Sequence, residues 1–211
     1  RPLHRALKAA PQPPISRLWR PARGSHLRPG LATRICDSSA RLPGTALLRT
    51  KMTILFLDFD GVLHPDPCRD RARLFEHAPR LAAALTPFTQ LAVVLSTAWR
   101  THHPVDELAA HLPPTLRAKV VGATRCFHAI ERRPALVPYR RQAECQHWID
   151  SERPGAAWLA LDDRAAEFEP YFDRLIVTRS ATGLDEATLN RLRFALAQAT
   201  QRQALAPAVS G

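Results

Sequence analysis

Two aspartates, Asp58 and Asp60, follow the apolar run Ile54-Leu55-Phe56-Leu57 and stand directly before Gly61. Four apolar residues without alternation suit a strand covered on both faces of a sheet. Side chains at i and i+2 of extended backbone point the same way. Both carboxylates therefore belong to one small region beyond the strand's carboxyl end. Two anions held that close repel unless a cation or a shared proton lies between them. An acidic turn closing a hydrophobic strand is the plain alternative, so the ends of the other strands decide. Leu91-Ala92-Val93-Val94-Leu95 runs into Ser96 and Thr97, and Trp158-Leu159-Ala160-Leu161 runs into Asp162 and Asp163. Arg140 and Arg141 open a helix between those two strands. Clustered carboxylates suit Mg²⁺, a hard ion that prefers oxygen ligands. A hydroxyl and a guanidinium suit a phosphoryl group, whose oxygens need donors and positive charge in the transition state.

Such side chains meet only if the elements carrying them share one sheet edge. His64-Pro65-Asp66-Pro67 forces a loop after the first strand. Residues 79–86 read as a helix with Pro79 in its first turn, Asp106 to Leu112 as a short helix, and Val120-Val121 as a third strand closed by Gly122. Arg140 to Ile149 reads as a helix, and Leu175-Ile176-Val177-Thr178 as a fifth strand. Thr182-x-x-Asp185 resembles a capping box opening a helix with Leu184, Leu189, Leu192 and Leu196 on one face. This alternation predicts an α/β fold, a Rossmann-like three-layer sandwich with a five-stranded parallel sheet. In such a sheet all the acidic and hydroxylic strand ends fall on one edge.

Composition divides the chain unevenly. Of 211 residues with a net charge of +11, residues 1–51 carry nine Arg and two Lys against the single acid Asp37, so the body of the chain is nearly neutral. Seven prolines interrupt any helix there, and the extension reads as disordered. It could be an arm for nucleic acid or another acidic partner, or a transit-type segment. The chain begins with Arg1 and its only methionine is Met52, as an upstream reading frame translated in error would give. We expect a hydrolase-like domain over 52–205 and a flexible tail over 206–211. No run reaches the ~20 apolar residues of a membrane span, so no membrane is expected. Cys36, Cys68, Cys126 and Cys145 lie far apart with no Cys-x-x-Cys pair, which suits reduced cytoplasmic thiols rather than a zinc site or disulfide framework.

At this point the chain resembles a known family. Asp58-Phe59-Asp60-Gly61-Val62, Leu95-Ser96-Thr97, a basic residue before the fourth strand and Leu161-Asp162-Asp163 match in order the four motifs of the haloacid dehalogenase-like (HAD) hydrolases. The strings Leu-Asp-Phe-Asp-Gly-Val-Leu-His-Pro and Leu-Ser-Thr-Ala-Trp-Arg look most like small capless HAD domains, including those of Swiss-army-knife RNA repair proteins. The resemblance implies a phosphatase in which Asp58 is the nucleophile and forms an aspartyl-phosphate. It makes Asp60 the general acid to the leaving oxygen and then the base to water. It places Mg²⁺ on Asp58, the Asp60 carbonyl and Asp162, with Asp163 direct or through water. Ser96, with Thr97 beside it, would hydrogen-bond the phosphoryl oxygens. Of Arg140 and Arg141, the spacing to Glu144 favours Arg141 as the third-motif base. Arg100 could hold substrate phosphate or form an ion pair, and His64 could touch substrate. His102 and His103 read as solvated, and Trp99, Trp148 and Trp158 as core.

Family members acting on small metabolites usually carry a cap domain. Here residues 62–90 and the stretch from Ser96 to Arg141 have no room for one. An uncovered site cannot exclude water by closing on a metabolite, whereas a macromolecule could supply the cover itself. The expected partner is therefore a phosphorylated substrate, a nucleic-acid end or a phosphoprotein. The alternative is a non-catalytic HAD-fold module for nucleic-acid binding or RNA repair, although a binding module needs none of Asp58, Asp60 and Asp162. A two-component receiver domain also uses an acidic cluster, but its phosphorylated aspartate ends the third strand, where this chain has Gly122.

Overall fold

Five short apolar runs become five strands, all parallel, in the spatial order β3-β2-β1-β4-β5. They are β1 (Thr53–Leu57), β2 (Leu91–Leu95), β3 (Val120–Ala123), β4 (Trp158–Asp162) and β5 (Leu175–Val177). The computed structural model describes residues 52–130 and 134–205. The expected extension over 1–51 and tail over 206–211 lie outside the described residues.

The sheet is Rossmann-like, and alternate residues of its central strands feed two separate cores. Leu55, Leu57, Val93, Leu95, Leu159 and Leu161 enter the larger core. There they meet leucines of α1 (Ala78–Leu85), α2 (Val105–Ala110), α3 (Pro114–Arg117) and α5 (Glu186–Leu205). Ile54, Phe56, Ala92, Val94, Trp158 and Ala160 enter the smaller core, closed by Cys145 and Ile149 of α4 (Arg140–Glu152). Burial on both faces explains the unbroken apolar runs. At about 1.5–3 kcal/mol for each large side chain removed from water, the central strands β1, β2 and β4 are the most firmly held.

Several boundaries differ from the sequence reading. β3 runs through Gly122 to Ala123 because Gly122 pairs with Val94, so that glycine lies within the strand rather than closing it. α4 continues three residues past Ile149. α3 and several 3-10 turns carry no period long enough to announce them. The cap of α5 is also shifted. Asp185 accepts from the Thr188 amide at 2.7 Å, which makes Asp185 itself the cap. Gly183, with φ +70, separates Thr182 from the helix. Leu184 then lies before α5, buried in the core, and its N–H donates to the Val62 carbonyl at 2.9 Å. A Cβ at Gly183 would lie 2.7 Å from His77 Cδ2 and 2.9 Å from the Val62 carbonyl oxygen. The segment after β5 is thereby pinned under the loop that follows β1.

No inserted domain lies over the carboxyl edge of the sheet among the described residues. Between β1 and β2 stand one 3-10 turn and α1; between β2 and β3 stand one 3-10 turn, α2 and α3. No described helix is long and apolar enough to cross a membrane.

Candidate active site at the carboxyl ends of the strands

The strand order reverses direction around β1: β2 and β3 lie on one side of it, β4 and β5 on the other. The crevice at such a switch point is where open α/β sheets bind ligands. The register brings Leu57 beside Leu161, so the next residues, Asp58 and Asp162, emerge side by side. Asp58 is fixed further by its amide, which donates to the Leu161 carbonyl at 3.1 Å, and its Oδ1 accepts from the Phe59 amide at 2.8 Å. Oδ1 of Asp162 accepts from the Arg164 amide at 2.9 Å.

Asp58, Asp162 and Asp163 each bring a carboxylate oxygen within 4.8 Å of the others. Asp58 and Asp162 are buried, at 2% and 1% exposure, and Asp163 is half-buried. Burial raises the pKa of Asp58 well above the usual carboxylate range; Arg141 opposes that rise and the charge of Asp162 adds to it. Burial raises Asp162 in the same way, again against Arg141. Such a site is short of positive charge. Hard oxygen donors in a partly open cleft are what Mg²⁺ takes, so the three acids fit a divalent cation.

Arg141 is the cation already there. In the first turn of α4, its Nη2 lies 3.2 Å from Asp58 Oδ2 and its Nη1 3.5 Å from Asp162 Oδ2. Burial works against its charge, but Asp58 and Asp162 hold its pKa above the ordinary arginine value. Even so, its buried Nη1 has no hydrogen-bond acceptor. A guanidinium with spare hydrogen-bonding capacity on a residue that lines a cavity suits an anionic oxygen.

That cavity, about 450 Å³, is lined by Asp58, Asp60, Asp66, Ala98, Arg141, Asp163, Arg164 and Ser180. Gly61 makes room for one of its walls. With φ +67 the residue takes left-handed backbone, and a Cβ there would stand 2.2 Å from Asp163 Oδ2. Only glycine lets the Asp163 carboxylate lie against the loop after β1.

Of the residues singled out from the sequence, Asp58, Asp60, Arg141 and Asp163 reach this cavity, with Asp162 directly behind Asp58. Ser96 is buried at the end of β2, its Oγ 3.9 Å from Cys145 Sγ. Burial pushes the Cys145 thiol pKa up, so this sulfur stays protonated. Thr97 caps the turn Ala98–Thr101, its Oγ1 accepting from the Trp99 amide at 3.4 Å. Arg140 is exposed, with its guanidinium 5.8 Å from the centre of the Phe127 ring. Arg100 is spent on structure: it pairs with Glu144 at 2.5 Å and donates to the Thr97 carbonyl. Neither Arg140 nor Arg100 lines the cavity. His102 is exposed, and His103 pairs with Glu107 on α2 at 3.3 Å.

Two residues have roles the sequence reading did not give them. Trp99, taken there as core, donates its indole N–H to Asp60 Oδ2 at 2.8 Å. His64, taken there as a residue that could touch substrate, is wholly buried, with Nε2 3.0 Å from Asp60 Oδ1. The only advance signal is the placement of His64 four residues after Asp60, in the same loop.

A doubly wound parallel sheet whose first strand runs into Asp-x-Asp, with an acidic pair at the end of β4 and an arginine between them, defines a haloacid dehalogenase-like domain. The chain belongs to one family within that class: residues 54–189 match the HAD domain in Swiss Army Knife RNA repair proteins. No curated protein and no solved structure matches the chain.

Proposed function

We propose that this domain is a Mg²⁺-dependent phosphomonoester hydrolase that works through an aspartyl-phosphate on Asp58, acting on the phosphorylated end of a macromolecule such as a nucleic acid. The observation that carries the reading is Arg141. It sits between two buried carboxylates, Asp58 and Asp162, keeps one buried nitrogen without an acceptor, and lines the cavity. A phosphoryl oxygen in that cavity would meet the guanidinium's positive charge and N–H donors. Asp58, Asp162 and Asp163 would hold Mg²⁺, which supplies the charge that keeps buried carboxylates ionised and draws in a phosphate dianion.

The chain's own residues then divide the work. An Asp58 oxygen attacks phosphorus as the bond from phosphorus to the leaving oxygen breaks, and Asp60 gives its proton to that oxygen. Water next attacks the phosphorus of the aspartyl-phosphate and loses a proton to the Asp60 carboxylate. The phosphorus–oxygen bond to Asp58 breaks, releasing inorganic phosphate and restoring both acids. Arg141 neutralises charge on the transferring group throughout.

An open cavity supports the choice of a macromolecule, since no inserted domain among the described residues covers it. The family's association with RNA repair proteins points the same way. The test is hydrolysis of an aryl phosphate by the full chain, with Mg²⁺ or with chelator, beside Asp58→Asn. Turnover that needs Mg²⁺ and disappears in the variant is expected, with 3′- and 5′-phosphorylated oligonucleotides turned over in the same manner. A folded, Mg²⁺-binding protein that hydrolyses none of these substrates would overturn the proposal.

A further inference from the structure

Asp60 is held differently from its neighbours in the cavity. Its carboxylate is about one-third exposed and faces the same cavity as Asp66 and Asp163. Yet each of its two oxygens receives a hydrogen bond from the protein side, Oδ1 from His64 Nε2 and Oδ2 from Trp99 Nε1. Among the described residues, no N–H or O–H group is bonded to the side chain of Asp66 or Asp163.

The two donors are themselves built in. His64 is wholly buried among apolar residues, a costly place for an imidazole unless both nitrogens are used. Both are. The Phe75 amide donates to Nδ1 at 3.4 Å, which leaves the ring proton on Nε2, directed at Asp60. Phe75 provides that amide from left-handed backbone, φ +61, in a residue that is not glycine. Strain of this kind persists only where the surroundings over-determine it. Here the Phe75 ring stands edge-on to Phe59, His64 and Trp99, with centroids 5.2, 5.3 and 5.6 Å away, and lies flat on His111 at 4.8 Å. An aromatic box thus fixes both donors, and through them one carboxylate.

We infer that His64 and Trp99 are positioning residues that aim the Asp60 carboxyl at the leaving oxygen of the substrate. The inference rests on the phosphatase reading above. A carboxylate on a loop after a strand has two free side-chain torsions, and a proton delivered from the wrong rotamer is not delivered at all. Each carboxylate oxygen has two acceptor positions. A proton can therefore sit on either oxygen with both hydrogen bonds intact, and it leaves for the substrate without rearrangement of the box.

The leaving group separates this role from a merely structural one. An alkoxide cannot depart without a proton, whereas dinitrophenolate can. The quantity to compare is kcat/KM, which stops at the first irreversible step and so excludes the later attack of water. Trp99→Phe keeps one aromatic ring in the box and removes the N–H together with the rest of the indole. It is expected to lower kcat/KM for an alkyl phosphate about tenfold and for dinitrophenyl phosphate less than twofold. His64→Gln can return an N–H to the Nε2 position, and it is expected to retain more alkyl phosphate turnover than His64→Leu. Equal losses on both substrates, or no loss on either, would overturn the inference while the phosphatase reading stands. A wild-type protein inactive on both substrates with Mg²⁺ present would overturn that reading and this inference together.

Discussion

Two buried arginines stand near one another at the carboxyl edge of the sheet, and they do opposite things. Arg100 is closed off. It meets Glu144 at 2.5 Å, with both side chains nearly removed from solvent, and it donates to the Thr97 carbonyl, while its buried Nε has no acceptor. Glu144 is finished in turn by the Phe127 amide at 2.7 Å. Arg141 has two acidic neighbours at longer distances, 3.2 and 3.5 Å, a donor with no acceptor, and a cavity in front of it. A close buried ion pair outside the cavity is a strut that ties the turn after β2 to α4. A looser one that lines the cavity is poised for a ligand. Each keeps one buried nitrogen without an acceptor, Nε of Arg100 and Nη1 of Arg141, so what separates them is the close Glu144 pair of the one and the cavity lined by the other.

The contrast is sharpest in stability. Arg100→Ala leaves Glu144 buried without its ion-pair partner, a change that typically costs about 3–5 kcal/mol, reduced here by the Phe127 amide and the charge of Arg141. We expect a loss toward the lower end of that range in urea unfolding, unaltered by Mg²⁺. Replacing both partners, as in Arg100→Met with Glu144→Leu, should recover most of it. Recovery of the single variant by Mg²⁺ would place Arg100 in the site and break the comparison.

Arg141→Ala should act chiefly on catalysis, lowering kcat/KM roughly 10²–10³-fold, as loss of one preorganised electrostatic donor does. Its stability should depend on Mg²⁺, because Asp58 and Asp162 lose their only close positive partner among the described residues. A variant as active as wild type would remove Arg141 from the chemistry.

A smaller effect is expected from pH in the metal-free protein. Burial raises the pKa of Asp58 and Asp162, so the folded chain keeps protons that the unfolded chain has released. From about pH 4 upward, where free carboxyls ionise, the unfolded state binds fewer protons and these groups make stability fall as pH rises. The difference between wild type and Asp58→Asn isolates the contribution of Asp58. In chelator the variant should gain on wild type as pH rises, and saturating Mg²⁺ should abolish the gain. A gap that does not change with pH would contradict the assignment. Least affected of all should be Arg140→Ala, with turnover within twofold of wild type and an unchanged melting temperature, since that side chain is exposed and outside the cavity.

The centre of the sheet was readable in advance because strands buried on both faces must be apolar throughout, as β1, β2 and β4 are; the half-exposed edges β3 and β5 followed from their short apolar runs between turn signals. Asp58, Asp162 and Asp163 were readable as neighbours because parallel strands bring their ends to one edge. What the sequence withheld depends on side-chain direction across long separations. Trp99 meets Asp60 from 39 residues away, and nothing local distinguishes it from the core tryptophan Trp158. Arg100 and Glu144 lie 44 residues apart, so the closure of that pair could not be read, and Arg100 looked as available as Arg141. The shifted cap of α5 has a local cause: the left-handed Gly183 cuts Thr182 off from the helix it seemed to open.

The central claim is that Asp58 carries the phosphoryl group. The most direct measurement is acid quenching of the full-length Asp60→Asn protein during turnover of dinitrophenyl phosphate with Mg²⁺, followed by mass spectrometry of its peptides. That substrate needs no proton to leave, and loss of the Asp60 base slows the attack of water, so the intermediate should accumulate. The account predicts one phosphoryl group, on the peptide containing Asp58 and on that residue. Inorganic phosphate released at the wild-type rate with no phosphorylated peptide, or a phosphoryl group on another residue, would contradict it.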